Sequence, residues 1–339
     1  MELVDPLLAG DRLSLARALS AVENEDETGR AVLNQLFAHT GRAHRIGVTG
    51  APGTGKSSLV NQLARHFRQP PAGEAPHRVA IVAVDPSSPF TGGAILGDRI
   101  RMRDLAGDPG VFIRSMAARG SLGGLANATA SVVQVFDAAG FELILIETVG
   151  AGQAEVDIAR LAHTTLVVEA PGLGDDIQAI KAGILEIADI LVINKADRPG
   201  VESTERALRG MLDLAHPMPH VFRHHGRLEM APAPPTPLPN QAFWMPPILR
   251  TVATEGVGIP ELAEAIAGHR THLEKSGEWA RRERSLLQTE LESLLLETLF
   301  TRWRSTISEA QFQSVLDKLQ DRRLSPHQAI QDLLNGRQP

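Results

Sequence analysis

Residues 50–57 are Gly50-Ala51-Pro52-Gly53-Thr54-Gly55-Lys56-Ser57 and match the pattern G-x-x-x-x-G-K-[ST] at every fixed position. Glycines in this pattern allow a tight turn in which successive backbone N–H groups point at phosphate oxygens. Lys56 supplies a positive charge to the outer phosphates, and the Ser57 hydroxyl is a ligand for Mg²⁺. This phosphate loop (residues 50–57), together with Ser58, therefore forms the predicted nucleoside-triphosphate site.

The segments around the phosphate loop predict an α/β fold. Ile46–Thr49 is a short apolar run typical of a strand, and Ser58–Phe67 has the pattern of a helix whose N-terminal end favours phosphate. Continuous apolar runs of this kind suit strands that are buried on both faces of a mostly parallel sheet. The further predicted strands are Val79–Val84, Leu143–Glu147, Thr165–Glu169, Ile190–Ile193 and Ile248–Ala253.

We expect three regions along the chain. Residues 1–42 form an N-terminal helical extension, in which Asp11 is the predicted N-cap of one helix and Ala31–His39 forms another. Residues 43–268 form the sheet domain. They include a proline-rich surface excursion, Pro217–Pro247, because proline at this density forbids helix and interior strand. Residues 269–339 form a C-terminal helical region.

The C-terminal region has clear helix signals. Leucines recur at helical spacing from Leu287 to Leu299, which predicts a core or an interface between subunits. Two capping boxes mark the starts of the last helices. They are Ser308 with Gln311 and Ser325 with Gln328. The basic run Arg281–Arg284 is interpreted as a solvated helix face.

Composition excludes several function classes. The chain has 339 residues with 34 Lys and Arg against 40 Asp and Glu, a formal net charge of -6, which disfavours nucleic acid as a partner. It has no cysteine, which excludes disulfide scaffolds, zinc-thiolate sites and iron–sulfur clusters. No run approaches the roughly 20 apolar residues of a membrane helix, and Met1–Pro6 lacks the layout of a signal peptide. We therefore expect a cytoplasmic protein without a membrane partner.

A second motif indicates which base is bound. Asn194-Lys195-Ala196-Asp197 follows the apolar strand Ile190–Ile193, about 140 residues after the phosphate loop. A carboxylate such as Asp197 accepts hydrogen bonds from guanine N1–H and from its exocyclic amine, whereas adenine has no such pair of donors. Asn194 and Lys195 are expected to support the loop and cover the base. The motif therefore favours GTP and GDP over adenine nucleotides.

Carboxylates at strand ends predict the metal site. Glu147 begins Glu147-Thr148-Val149-Gly150, where an acidic residue holds Mg²⁺ through water and the glycine N–H senses the γ-phosphate. Asp85 ends Val79–Val84 at the same edge of the predicted sheet. No glutamine follows Gly150 directly, and the nearest is Gln153, so we expect slow intrinsic hydrolysis. The candidate catalytic residues are Lys56, Asp85, Glu147 and Gln153.

Five ordered blocks resemble the MeaB/ArgK-like GTPases, the methylmalonyl-CoA mutase-associated family. They are VDPSSP at 84–89, GGAILGDR at 92–99, RGSLGG at 119–124, ETVGAGQ at 147–153 and GDDIQAIKAGI at 174–184. The resemblance runs from about Leu7 to about Leu334. It implies a P-loop GTPase domain of the SIMIBI class, flanked by N-terminal helices and by C-terminal helices that form a homodimer.

The resemblance also implies a function and a set of site residues. Members of the family are chaperones of adenosylcobalamin-dependent acyl-CoA mutases, and their GTP cycle gates loading and protection of the cofactor. Residues 92–103, 150–157 and 174–181 correspond to the mobile switches of the family. By position, Lys56 and Ser57 bind phosphate and Mg²⁺, Asp85, Asp98 and Glu147 lie around the metal, and Asn194, Lys195 and Asp197 bind guanine.

One position departs from the family pattern. The family has Ser-Ala before Gly-x-Gly-Ile, whereas this chain has Val252-Ala253. The Ala253 backbone N–H is still expected to meet guanine O6, because a backbone contact survives a change of the preceding side chain.

Two other function classes stay open. One is a nucleotide-dependent kinase or ATPase that acts on a small molecule or a transport protein. The other is a nickel-type metallochaperone GTPase. A local group of histidines suggests this class, although such proteins generally use cysteine as well. The histidines are His216, His220, His224 and His225. The client is equally open among methylmalonyl-, isobutyryl-, 2-hydroxyisobutyryl- and ethylmalonyl-type mutases.

Overall fold

The predicted parallel sheet is present in the structure, a computed structural model. It describes residues 3–24, 26–70, 73, 75–86, 102, 104–105, 107–118, 124–148, 161–172, 187–215, 221–224, 227–230 and 244–334. The chain divides into two compact units, Met1–Leu286 and Leu287–Pro339. Within the described ranges, no helix combines the length and the apolar character needed to cross a membrane.

In the described part of the chain, seven strands form one sheet in the order β3-β2-β4-β1-β5-β6-β9, and every pairing is parallel. Parallel strands place all their carboxyl ends at one edge, which is where ligands bind in open α/β sheets. A separate antiparallel pair, β7 with β8, lies within the proline-rich excursion. The strands are β1 (His44–Thr49), β2 (Val79–Pro86), β3 (Val111–Ala118), β4 (Leu143–Thr148), β5 (Thr164–Glu169), β6 (Ile190–Asn194), β7 (Val221–His224), β8 (Arg227–Met230) and β9 (Ile248–Thr251).

Strand β3 was not predicted from the sequence. It lies at the edge of the sheet and pairs only with β2 in the described part of the chain. Arg114 and Ser115 interrupt its apolar pattern, and the Arg114 guanidinium pairs with Glu23 from an N-terminal helix. A half-exposed edge strand tolerates such a residue, so a search for continuous apolar runs passes over it.

Helices cover both faces of the sheet. One face packs against the N-terminal helices and α5, around Val82, Ile144 and Phe136. The other face packs against α4 and α7, around Val48 and Leu145. The helices of this unit are α1 (Val4–Leu8), α2 (Arg12–Glu23), α3 (Glu27–Leu36), α4 (Lys56–Arg68), α5 (Gly124–Ala138), α6 (Val201–Ala215), α7 (Ile259–Ser276) and the first turns of α8 (Glu278–Ser305).

Helix starts follow the predicted capping signals with one shift. The Asp11 carboxylate accepts a hydrogen bond from the Ser14 N–H at 2.7 Å and caps α2 as predicted. Helix α3 begins at Glu27, four residues earlier than the predicted start at Ala31, because Asp26 caps it through the Gly29 N–H at 2.7 Å.

The second unit contains the rest of α8 with α9 (Glu309–Gln320) and α10 (Pro326–Leu334). Both predicted capping boxes are confirmed. The Ser308 hydroxyl accepts from the Gln311 N–H at 3.2 Å, and the Ser325 hydroxyl accepts from the Gln328 N–H at 3.3 Å. The leucines of α8 are exposed in the single chain, with Leu291 at 67% and Leu296 at 69% of their full accessible area.

Candidate nucleotide-binding site

The predicted nucleotide residues come from the carboxyl ends of neighbouring strands. Strand β1 runs directly into the phosphate loop, and β4, which pairs with it, ends at Glu147 and Thr148. Strand β6 ends at Asn194, and β9 beside it ends at Thr251. Two motifs that are far apart in sequence therefore lie at one edge of the sheet.

The phosphate loop requires glycine at two positions for steric reasons. Gly50 has a φ of 137° and Gly55 has a φ of 93°, a region that residues with a Cβ rarely adopt. A Cβ on Gly50 would lie 2.1 Å from the Val168 carbonyl oxygen, and a Cβ on Gly55 would lie 2.4 Å from Asn194 Nδ2. Gly55 also precedes α4, so its conformation sets where that helix begins.

The Lys56 side chain folds back onto the backbone of the phosphate loop. Its ammonium group donates to the carbonyl oxygens of Gly50 at 2.7 Å and Ala51 at 3.0 Å, and the side chain is buried. The Thr54 hydroxyl donates to the same Ala51 carbonyl at 3.0 Å. The side chains of Lys56 and Thr54 thus hold the turn closed, while Pro52, Gly53 and Ser58 are exposed.

Ser57 and Glu147 come together at the start of α4. The Ser57 hydroxyl donates to Glu147 Oε1 at 2.6 Å, although the two residues are 90 positions apart in sequence. A hydroxyl and a carboxylate oxygen form the hard donor set that Mg²⁺ prefers. The residues present therefore fit a magnesium ion.

Most of the other predicted metal and switch residues lie outside the described part of the chain. Asp85 is the second-to-last residue of β2, the strand beside β4, while its side chain lies outside the described part of the chain. Asp98, Gln153 and the glycine predicted to sense the γ-phosphate, Gly150, lie outside it as well. The three predicted switches, residues 92–103, 150–157 and 174–181, also lie outside the described part of the chain, except for Met102. Met102 is buried in the core beside α4.

Asn194 joins the base motif to the phosphate loop. Its side-chain amide donates to the Thr54 carbonyl at 2.8 Å. Its Oδ1 accepts from the Thr251 hydroxyl at 3.2 Å and from the Ala253 N–H at 3.1 Å. Lys195 adds a second link, because its ammonium group donates to the Gly53 carbonyl at 2.6 Å. The base motif thus braces the phosphate loop through two side chains.

The remaining base-motif residues are arranged as follows. Lys195 has a φ of 57°, a left-handed conformation that is rare for lysine, and Asp197 is exposed two residues later. The Ala253 N–H, which the family resemblance leads us to expect at guanine O6, is paired with Asn194 Oδ1 in this structure. Thr251 was missed, and its only sequence signal is a hydroxyl two residues before the end of the predicted strand Ile248–Ala253.

The histidines that raised the question of nickel give no support here. His216, His220 and His225 lie outside the described residues, and His224 is described only as backbone of β7. Among the described residues, no three His, Cys, Asp or Glu side chains are arranged to hold a metal ion.

Comparisons with known proteins agree with this geometry. Residues 15–308 match the family model described as methylmalonyl Co-A mutase-associated GTPase MeaB. A protein of Pyrococcus abyssi that is named as a GTPase is 41% identical over 333 residues, which are 98% of this chain and 95% of that protein. A Caenorhabditis elegans protein, named methylmalonic aciduria type A homolog, mitochondrial, is 34% identical over 210 residues, 58% of this chain and 52% of that protein.

A solved structure shows the same fold. The crystal structure of an LAO/AO transport system kinase superposes with a TM-score of 0.65 at 26% sequence identity, covering 98% of this chain and 96% of that one. The resemblance noted from the five sequence blocks is therefore confirmed, and so is the P-loop GTPase fold. This chain belongs to the methylmalonyl-CoA mutase-associated GTPase MeaB family and is a GTPase.

Proposed function

We propose that this GTPase is a chaperone of an adenosylcobalamin-dependent acyl-CoA mutase, either methylmalonyl-CoA mutase or a relative of it. In this proposal, GTP hydrolysis gates the loading of the cofactor and the protection or reactivation of the mutase in the cytoplasm. The observation that supports it is the family match through residues 15–308, since the family is described by its association with that mutase. The similarity to the methylmalonic aciduria type A homolog points the same way.

In the proposed mechanism, the phosphate loop binds the nucleotide. Backbone N–H groups of the loop and the positive end of α4 hold the phosphates, and Lys56 offers its charge to the outer ones. Ser57 and Glu147, with Asp85 and Asp98 as further ligands, would hold Mg²⁺. When bound, Mg²⁺ neutralises the negative charge that develops on the phosphate oxygens.

Guanine selection in this proposal rests on Asp197, and the side chains of Asn194 and Lys195 link the base motif to the phosphate loop. The contacts of Asn194 to Thr54 and of Lys195 to Gly53 keep the base motif and the phosphate loop in fixed register. A nucleotide that spans both motifs then meets a site that is already assembled, so binding costs less conformational entropy.

The function is tested by measuring GTP hydrolysis with and without purified acyl-CoA mutases. We expect slow release of phosphate from the protein alone and an increase of several-fold or more with its partner mutase. Mutases of the methylmalonyl, isobutyryl, 2-hydroxyisobutyryl and ethylmalonyl types are compared under the same conditions. A fast basal rate that no mutase alters would contradict the chaperone assignment.

The same assay addresses a second candidate, a phosphotransferase, which the similarity to the LAO/AO transport system kinase favours. With γ-labelled GTP, a GTPase releases inorganic phosphate, whereas a kinase transfers the label to a protein or a small molecule. Label that is recovered on an acceptor would support the kinase.

Asp197→Asn is expected to weaken GTP binding by about 2–4 kcal/mol, because an amide presents a donor to a guanine donor. A xanthine nucleotide should recover part of this loss, since it offers an acceptor at that position. Calorimetric titration with GTP, ATP and xanthosine triphosphate measures both effects. Asp213→Asn, at an exposed position in α6, is the matched control and should bind GTP like the unaltered protein. Equal affinity of the unaltered protein for ATP and GTP would contradict the assignment of the base.

A homodimer through residues 280–335 is part of the proposal. Leu291, Leu295, Leu296 and Phe300 are all more than half exposed in the single chain. An apolar surface of this width usually has a partner, and a symmetric dimer is the commonest closed arrangement. Light scattering on the full-length protein should give twice the mass of the chain, and a monomer at tens of micromolar would contradict the dimer.

A further inference from the structure

A buried group of histidines lies at the amino-terminal edge of the sheet, opposite the phosphate loop. His44 begins β1, His163 immediately precedes β5, and His269 comes from α7. All three are at most 1% exposed. The GTPase reaction uses none of them, because the nucleotide residues lie at the other ends of the same strands.

The first turns of α8 pack directly on this group. The Trp279 ring stacks on the His163 ring with centroids 3.9 Å apart. Arg282 donates to both carboxylate oxygens of Asp189, at 2.8 Å and 2.9 Å, and to the His163 carbonyl at 2.6 Å. Glu283 Oε1 lies 2.5 Å from His163 Nε2. The prediction of a solvated face at Arg281–Arg284 is therefore wrong for the two middle residues.

The contacts of His163 define its protonation state. Its Nδ1 accepts the backbone N–H of Arg45 at 3.1 Å, so the proton of the neutral ring must sit on Nε2, facing Glu283. Both ring nitrogens are satisfied only in this form. A second proton, on Nδ1, would set one donor against the Arg45 N–H donor and break that hydrogen bond.

Charged and titratable groups face His163 and its neighbour His44 from every side. They come from β1, α5, the start of β6, α7 and α8. They are Arg45, Asp137, Asp189, His269, Arg270, Arg282 and Glu283.

Burial lowers the pKa of His163, and the charges of Arg45 and Arg282 add to this, against the opposing hydrogen bond from Glu283. Burial likewise holds the pKa of His44 well below its usual value. Burial alone would raise the pKa of Asp189, but His269 and Arg282 outweigh it and lower that pKa to about 2. Burial alone would also raise the pKa of Glu283, but the hydrogen bond with His163 and the charge of Arg45 outweigh it and lower that pKa. These two carboxylates are therefore charged at neutral pH.

We propose that His163 and Glu283 form an acid-sensitive latch. While His163 is neutral, the latch holds residues 278–286 of α8 against the amino-terminal edge of the sheet, and it releases them when His163 Nδ1 takes up a proton. The sign follows from linkage. The released state has an ordinary histidine, which binds a proton near pH 6.5, whereas the closed state resists it. The latch is therefore fully closed above pH 6.5 and weakens as the pH falls below that value.

Hydrogen exchange of the full-length protein, followed by mass spectrometry between pH 7.5 and pH 5.5, tests the latch. After correction for intrinsic rates, we expect the protection of residues 278–286 to fall by up to about tenfold per pH unit below pH 6.5, as for uptake of one proton. The protection of β4 should stay constant. A flat profile for residues 278–286, or a loss of protection in β4 at the same pH, would overturn the proposal.

Three variants identify the group that titrates. His163→Gln keeps an acceptor for the Arg45 N–H and a donor for Glu283 but cannot be protonated, so its profile should be flat. His327→Gln, at an exposed histidine of α10, is the control and should follow the unaltered protein. A pH response retained in His163→Gln would overturn the proposal.

The third variant, Glu283→Gln, keeps an acceptor for His163 Nε2–H and does not depend on folding of the histidine variant. It removes the carboxylate that favours the charged ring in the closed state, so the fall in protection should begin at the same pH but continue to lower pH before it levels off. A fall in protection that levels off at the same or at a higher pH than in the unaltered protein would overturn the proposal.

Discussion

Lys56→Ala is expected to slow GTP hydrolysis by about 10²–10³-fold, the range for removing one preorganised charge or donor from a developing anion. The structure holds the Lys56 ammonium group against the Gly50 and Ala51 carbonyls, inside the loop that is predicted to bind the phosphates. Its position is thus set before nucleotide arrives. Phosphate release at saturating GTP measures the effect, and Lys275→Ala, at an exposed position near the end of α7, is the matched control.

Lys56→Ala also removes two hydrogen bonds within the loop. We expect the free energy of unfolding to fall by about 1–3 kcal/mol, as for buried carbonyls that lose their donors. A thermal melt separates this loss from the catalytic effect, because a folded variant without activity places the defect in the site. Hydrolysis within a few-fold of the unaltered rate in a folded variant would contradict the role of Lys56.

Gly55→Ala is expected to have the second largest effect, acting on nucleotide affinity and on stability together. The left-handed backbone at this position costs about 1–2 kcal/mol for a residue with a Cβ. The new methyl group would also lie 2.4 Å from Asn194 Nδ2, which then has to leave the Thr54 carbonyl. Since Asn194 links the base motif to the loop, GTP affinity should fall by at least about tenfold, or 1.4 kcal/mol.

Gly53→Ala is the matched control for this prediction. Gly53 has a φ of 82°, yet a Cβ there would meet no atom within 4 Å. The control therefore carries the backbone cost without the collision with Asn194. Calorimetric titration with GTP should show a clearly larger loss for Gly55→Ala, and equal losses in the two variants would contradict the brace through Asn194.

Most of the sheet could be predicted from the sequence because its strands are buried on both faces. Five of the seven strands appear as continuous apolar runs, and Ile248–Ala253 was predicted as a sixth strand. The predicted bounds of all six differ from the observed ones by two residues or fewer. Strand β3 could not be predicted in this way. Its Arg114 is stabilised by Glu23, 91 positions away, and only the folded chain brings those two residues together.

The residues of the candidate site also fall into two groups, those that the sequence predicts and those that only the folded structure reveals. The phosphate loop and the Asn194–Asp197 motif are each a continuous stretch of sequence, so residue spacing alone identifies each of them. Thr251 has no motif of its own. It becomes part of the site because β9 pairs with β6 and places its hydroxyl 3.2 Å from Asn194 Oδ1.

By itself, the sequence determined the local chemistry of this protein: the phosphate loop, the base motif, the buried strands and the helix caps. These features depend on residues that are close along the chain. The tertiary structure alone decided which distant groups meet, such as Ser57 with Glu147 and Glu283 with His163. The physical reason is that a polar residue in a helix is stable either in water or beside a buried partner. Only packing against the sheet places that partner within hydrogen-bonding distance.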